Sequence, residues 1–135
     1  MGLKQIINDS HYAIDHGMKP HSVTPLLQAV ISGLISRYES IVRDNDELRH
    51  VPYAELVTGQ NGYAEMGGKM YVKAHTKIGG STFVDNKVLE PDRVEEFLKR
   101  REELRQVAIQ ALPLLLHFDP IIPYSEKVTI DEIFS

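Results

Sequence analysis

The sequence predicts an α+β domain: a short N-terminal helix, two long amphipathic helices packed on a small antiparallel sheet, and an extended C-terminal arm. Two long segments, near residues 25–44 and 91–112, carry apolar residues at helical spacing. Between them the pattern shortens, and six of the nine glycines lie between Gly59 and Gly80. A chain of 135 residues suits one domain. We therefore expect a single domain over residues 1–118 and an arm over residues 119–135.

The first two helices are predicted from apolar spacing and from end signals. Residues 3–16 have isoleucines and a leucine at helical spacing, which predicts a short amphipathic helix. Thr24 is an N-cap type, and Pro25 suits the first helical position because its missing N–H costs nothing there. This longer helix should end near residues 44–48. Gly33 in its middle predicts a close approach by another backbone.

Four short runs between the long helices favour β-structure. They are VPYAELV (51–57), YAEM (63–66), KMYVKAHTKI (69–78) and STFVDNKVL (81–89). Glycine-rich segments separate most of them, and both Gly-Gly pairs are typical of hairpin turns. The sequence therefore predicts three or four antiparallel strands joined by hairpins.

The second long helix should begin at Pro91 and stop or kink at Pro113, which lacks the N–H that would bond back to Ile109. The segment after it, LLLHF, could be a further helical turn or a strand. Arg101 falls within the apolar stripe of this helix. It could pair with a carboxylate in the domain, cross a subunit interface or meet an anionic ligand. An exposed end of the stripe, with the aliphatic stem lying along the surface, is the favoured environment.

The tail DPIIPYSEKVTIDEIFS combines two prolines with an apolar content that a disordered terminus would not have. Its end, TIDEIF, could form one helical turn capped by Thr129. We expect the arm to pack on its own domain or on a neighbouring subunit. The candidate interface residues are Ile121, Ile122, Tyr124, Val128, Ile130, Ile133 and Phe134.

Composition excludes several classes of function. The chain has no cysteine, so thiolate metal sites, disulfides and a cysteine nucleophile are excluded. Its net charge of −4 makes nucleic acid an unfavourable partner. The longest apolar run, residues 111–116, is too short to cross a bilayer. With no signal-peptide pattern at the N-terminus, we expect a cytoplasmic, soluble protein without a membrane partner.

One face of the central predicted strand is a candidate surface for a nucleotide or similar anion, because lysines can hold phosphates and tyrosine can stack on a base. The KIGGST loop could add hydroxyl and backbone donors. The alternative is the ordinary solvated side of an antiparallel sheet, which is the favoured interpretation. The candidate ligand residues are Lys69, Tyr71, Lys73, His75, Lys77, Ser81 and Thr82, with Arg101 as a further candidate.

Other chemistry is weakly indicated. The N-terminal segment holds Asp9, His11, Asp15, His16 and His21, but helical spacing puts His11 and Asp15 on one face and His16 about 140° away from His11. GYAEMGGKM fails the P-loop pattern, and nucleophile-elbow and zincin motifs are missing from the sequence. We therefore expect no metal and no cofactor, with a metal-dependent enzyme using these histidines as the third-ranked hypothesis.

The leading hypothesis is a non-enzymatic, self-associating structural protein that acts in assembly or protein–protein interaction, as a subunit of a larger complex or particle. Apolar stripes wider than one partner would cover, together with the apolar arm, support it. The alternative is a small binding protein for a nucleotide or similar anionic ligand. Homo-oligomerisation through the arm is the partner prediction.

Overall fold

The computed structural model describes residues 2–5, 7–9, 17, 25–118 and 121–135. Residues 3–5 and 7–9 are helical, as predicted for the start of the N-terminal helix. Leu3 is fully buried, so this segment belongs to the core. The rest of the predicted helix, residue 6 and residues 10–16, lies outside the described residues.

The described elements confirm the α+β class. In chain order they are α1 (Pro25–Arg43), a 3-10 turn (Asp46–His50), α2 (Tyr53–Val57), β1 (Tyr63–Met66), β2 (Lys69–Ile78), β3 (Ser81–Leu89), α3 (Pro91–Phe118), a second 3-10 turn (Ile122–Tyr124) and α4 (Ile130–Phe134). The long helices α1 and α3 pack on each other, and α2 packs on α3.

Helix α1 matches the predicted helix, and its buried residues are Ile31, Leu34, Ile35, Tyr38, Ile41 and Val42. Val30 and Leu26, which the apolar pattern also predicted to face the core, are exposed. The predicted N-cap, Thr24, lies outside the described residues. Among the described residues, nothing makes the close approach that was predicted at Gly33. Two residues along a helix turn by about 200°, so Gly33 points away from the buried Ile31. It is exposed, and a Cβ added there would meet no described atom within 4 Å.

Residues 51–57, predicted as a strand, form one bridge and a short helix instead. Pro52 pairs with Thr129 in an isolated antiparallel bridge, and the helix α2 follows at once. Its buried residues are Tyr53, Glu55 and Leu56, and the Tyr53 hydroxyl donates to the carbonyl oxygen of Ala108 on α3. A short apolar run fits either a strand or a helix, and here packing on α3 decided the outcome.

The sheet is an antiparallel meander in the order β1-β2-β3, with β2 in the centre. The strand ranges 63–66, 69–78 and 81–89 agree with the prediction. Gly79 and Gly80 have φ of 58° and 85° and join Ile78 to Ser81, its partner in the ladder. A two-residue hairpin turn with positive φ at both positions requires such residues. The predicted hairpin turns are therefore confirmed.

Helix α3 continues through Pro113 to Phe118, so the predicted stop at the proline is wrong. Pro113 is exposed, while Ala111 and Leu115 on either side are buried. Burial of Leu115 holds the last turns on the core and offsets the single backbone hydrogen bond that the proline removes.

The end of the chain forms the predicted capped turn. Thr129 and Glu132 make a capping box at the start of α4, in which each side chain bonds to the backbone N–H of the other residue. Tyr53 N–H donates to the carbonyl of Val128, and Ile130 N–H donates to that of Val51. These bonds tie residues 128–130 to the body of the same chain.

Candidate functional site

The candidate ligand residues of β2 share one face of the strand but not one environment. Lys69 and Lys73 are exposed, Tyr71 is half-buried, and His75 is only 4% exposed. β2 packs against the 3-10 turn Asp46–His50, and His75 is buried in the interior. A buried imidazole thus divides the predicted row of cations, and ligand binding by the row stays a prediction.

The remaining candidates of this group lie toward the tip of the hairpin. The Lys77 ammonium pairs with the Glu132 carboxylate on α4 at 3.0 Å, which connects the sheet to the arm. Ser81 and Thr82 are exposed at the start of β3, directly after the Gly79–Gly80 turn. The structure therefore separates Lys73 from these donors by the buried His75, rather than gathering all of them at one point.

Arg101 is buried, and the predicted exposed environment is wrong. Its Nη2 lies 3.3 Å from Oε1 of Glu55, and both residues are less than 10% exposed. Its Nε and Nη2 also donate to the carbonyl oxygens of Asn61 and Gln60, at 2.9 Å and 3.1 Å. Pairing with a carboxylate inside the domain is the predicted alternative that holds. This pairing depends on α2, the short helix that places Glu55 beside Arg101. The sequence predicted a strand for the same segment.

The loop over Arg101 depends on a glycine. Gly62 has φ of 69°, and a Cβ added there would lie 2.6 Å from Arg101 Nη2. Such a distance is shorter than any carbon–nitrogen contact in a packed interior. Glycine is therefore needed here for its backbone conformation and for the close approach of the guanidinium.

His75 lies near the same ion pair. Burial lowers its pKa; Glu55 acts in the opposite direction, while Lys73 and Arg101 add smaller lowering contributions. In the described part of the chain its Nδ1 has no hydrogen-bond partner. A neutral imidazole can leave one nitrogen unprotonated, whereas a protonated one would bury an unpaired N–H.

A cleft of about 290 Å³ opens between this loop and α3, lined in part by Arg101, Arg105 and Tyr63. Arg105 Nε donates to the carbonyl of Leu56 at 3.3 Å, and its Nη1 lies 3.5 Å from Glu102. Both guanidinium groups are thus engaged by the protein itself. The arrangement holds the loop of residues 58–62 on α3.

The candidate interface residues of the arm fall into two groups. Ile130, Ile133 and Phe134 are buried within the same chain, and the Phe134 ring stacks on Tyr38 with centroids 4.7 Å apart. Val128 is partly buried against the same core. Two candidates, Ile121 and Tyr124, are exposed, and the side chain of Ile122 lies outside the described part of the structure.

The β2–β3 hairpin also exposes apolar side chains, and these residues were not among the candidate site residues. Ile78, Phe83, Val84 and Val88 are between 44% and 63% exposed. Every residue of β3 except Leu89 is exposed, so both faces of this strand are uncovered. The sequence signal was the adjacent pairs Phe83–Val84 and Val88–Leu89, because neighbours in a strand point to opposite faces.

Of the candidate metal ligands, Asp9 is exposed and accepts a hydrogen bond from Gln5 Nε2 at 2.7 Å, while His11, Asp15, His16 and His21 lie outside the described residues. Within the described ranges, no group of three or more histidine and carboxylate side chains is placed to hold a metal ion. None of the helices in this part of the chain combines the length and apolar composition needed to cross a membrane.

Comparisons with models of known protein families, with characterised proteins and with solved structures find no match to this chain.

Proposed function

We propose that this chain is a self-associating protein that acts through assembly or partner binding rather than catalysis, and that its interaction surface is the β2–β3 hairpin. The observation that carries the proposal is the exposure of Phe83, Val84 and Val88 on the two faces of one edge strand. Apolar side chains on both faces have no core of their own to cover them. Association removes them from water, at about 25 cal/mol per Å² of apolar area.

The open edge of β3 strengthens this argument. In the described sheet β3 pairs with β2 on one side only. A long edge strand presents unpaired N–H and C=O groups and is a template for another chain. Proteins normally keep such edges short or twisted, but β3 has nine residues and pairs with β2 along its whole length. The unpaired backbone edge and the exposed apolar side chains belong to the same strand. A partner strand would pair with the edge and cover the side chains.

The hairpin is a better candidate than the arm. The predicted anchors Ile130, Ile133 and Phe134 are buried in the chain's own core, so they are not available to a neighbour without unfolding α4. The anion-binding alternative is also less favoured, because His75 is buried and Lys77 is paired with Glu132.

Light scattering coupled to size exclusion, over a hundredfold range of concentration, tests the proposal. We expect a mass above that of one chain that falls on dilution. Phe83→Ser should shift the balance toward monomer, while Leu26→Ser, which changes an exposed apolar residue on α1, serves as the matched control. A strict monomer at every concentration would contradict self-association.

A further inference from the structure

We infer that the partner of the β3 edge is a second copy of this chain, paired antiparallel through β3 about a two-fold axis at Asn86. The inference rests on the proposed function and specifies its partner and register. The result is a continuous six-stranded sheet made of two copies of the β1-β2-β3 meander. The contact is isologous, because each copy offers the same strand.

The backbone at Asn86 points toward the open edge. Lys73, its partner on β2, donates its N–H to the carbonyl of Gly62 on the β1 side. In an antiparallel ladder the N–H and C=O of one residue point to the same side, so Lys73 and Asn86 are not bonded to each other. In a single chain the Asn86 N–H donates to Oδ1 of its neighbour Asp85 at 3.0 Å, a contact that the carbonyl of the partner strand would replace on pairing. Asn86 and alternate residues therefore direct their backbone groups outward, away from β2.

The sequence around Asn86 is complementary to itself when read in reverse. In the segment FVDNKVL, the residues on the two sides of Asn86 are Asp85 and Lys87, then Val84 and Val88, then Phe83 and Leu89. Antiparallel pairing about Asn86 sets each Asp85 opposite a Lys87 and each Val84 opposite a Val88. Opposite charges and β-branched pairs directly across a ladder are the favourable cross-strand combinations.

Neighbouring registers are less favourable. When two edge strands pair, residues whose backbone groups point outward must lie opposite each other. The nearest other two-fold axes that keep this arrangement pass through Asp85 or through Lys87. An axis at Asp85 sets two carboxylates opposite each other, and an axis at Lys87 sets two ammonium groups opposite each other. Like charges directly opposite are destabilising. Electrostatic repulsion in both neighbouring registers therefore favours the register with its two-fold axis at Asn86.

The apolar residues also find partners in this register. Phe83 of one copy lies opposite Leu89 of the other, on the same face of the joined sheet. Leu89 lines a cleft of about 610 Å³ together with Met70 and Val94. The register brings the exposed Phe83 ring beside this cleft, which explains both the open cleft and the exposed ring in a single chain.

A cross-linking experiment tests the register directly. The chain has no cysteine, so Asn86→Cys introduces one thiol per copy. Cα atoms of a hydrogen-bonded antiparallel pair lie about 5.5 Å apart, so a short bismaleimide should link the two copies in high yield. The control is Ser81→Cys on the same strand, whose two thiols would lie roughly 30 Å apart. Equal cross-linking of the two variants, or no cross-linking of a self-associating Asn86→Cys sample, would overturn the register.

A charge exchange provides the second test. Asp85→Lys should weaken self-association on the order of tenfold, because two attractive pairs become repulsive. The double variant Asp85→Lys with Lys87→Asp should restore it, and Glu126→Lys should leave it unchanged. Self-association that is insensitive to the exchange would overturn the Asn86 register while leaving the proposed function standing. A wild-type monomer would overturn both.

Discussion

The Nη2 atom of Arg101 lies 3.3 Å from Oε1 of Glu55, and this ion pair joins α3 to α2 in the interior of the protein. The guanidinium also donates to the carbonyls of Gln60 and Asn61. One side chain thus holds a helix and the following loop in place. The sheet begins immediately after this loop, so its position depends on the same contact.

Replacing Arg101 by methionine should lower the free energy of unfolding by about 3–5 kcal/mol, because Glu55 would keep a buried charge without a partner. Urea denaturation followed by circular dichroism measures the change. Arg105→Met is the control: its side chain is about one-third exposed, and the loss should stay near 1 kcal/mol. A loss at Arg101 no larger than at Arg105 would contradict the structural role.

Gly62→Ala should destabilise the protein by more than the roughly 1–2 kcal/mol that a left-handed conformation costs an ordinary residue, because the added methyl group also meets Arg101. Gly67→Ala isolates the backbone cost, since its φ is 58° and no described atom lies within 4 Å of the added Cβ. The two unfolding free energies should differ clearly. Equal losses would mean that Arg101 moves aside without cost.

In contrast to Gly62→Ala, Gly33→Ala should raise the free energy of unfolding, by about 0.5–1 kcal/mol. The position is in the interior of α1, exposed, and free of described neighbours, so alanine restricts the unfolded chain without a clash. A rise in melting temperature measured by calorimetry checks this. A lower melting temperature would show that the glycine is needed for a contact outside the described residues.

Phe134→Ala should cost about 3–5 kcal/mol, the range for removing a large buried aromatic side chain. Phe134 is 1% exposed and stacks on Tyr38. Tyr124→Ala, at an exposed position of the same arm, should change the unfolding free energy by less than about 0.5 kcal/mol. If both changes were equally mild, the arm would not be part of the core.

Stability should decrease in mild acid because of His75. Burial holds its pKa below the usual 6.5, with Lys73, Arg101 and His50 acting in the same direction and Glu55 against them. The unfolded chain therefore binds this proton more readily. The contribution is fully present above pH 6.5 and is lost as the pH falls below that value toward the folded pKa.

The comparison of wild type with His75→Gln isolates this effect. Glutamine does not titrate, so the difference in unfolding free energy between the two proteins should change in favour of the variant between about pH 7.5 and about pH 5.5. Parallel curves over that range would mean that His75 binds a proton equally well in the folded state.

Much of the fold could be predicted from local signals. The helix start at Pro25, the strands 63–66, 69–78 and 81–89, and the capped turn at Thr129 all depend on spacing, glycine turns or capping residues within a few positions. Two-residue Gly-Gly turns also determine the hairpin register, because positive φ at both positions leaves few alternatives. These features need no distant partner.

The environments of the polar residues could not be predicted in the same way. Arg101 meets Glu55, 46 residues away, and the anchors of the arm meet α1 and the segment before α2. The strand predicted at residues 51–57 became α2, and Pro113 did not end α3, since in both cases packing on the core outweighed a local preference. His75 was predicted on a solvated face of the sheet and is buried.

Local patterns along the chain specify the α+β class, the sheet and its turns, because backbone sterics and apolar periodicity act between residues that are close in sequence. Packing between distant segments sets which charged groups are buried, which parts of the sheet are covered and where the arm lies. Those outcomes depend on desolvation and on partners from distant segments, which the periodicity of the sequence does not indicate.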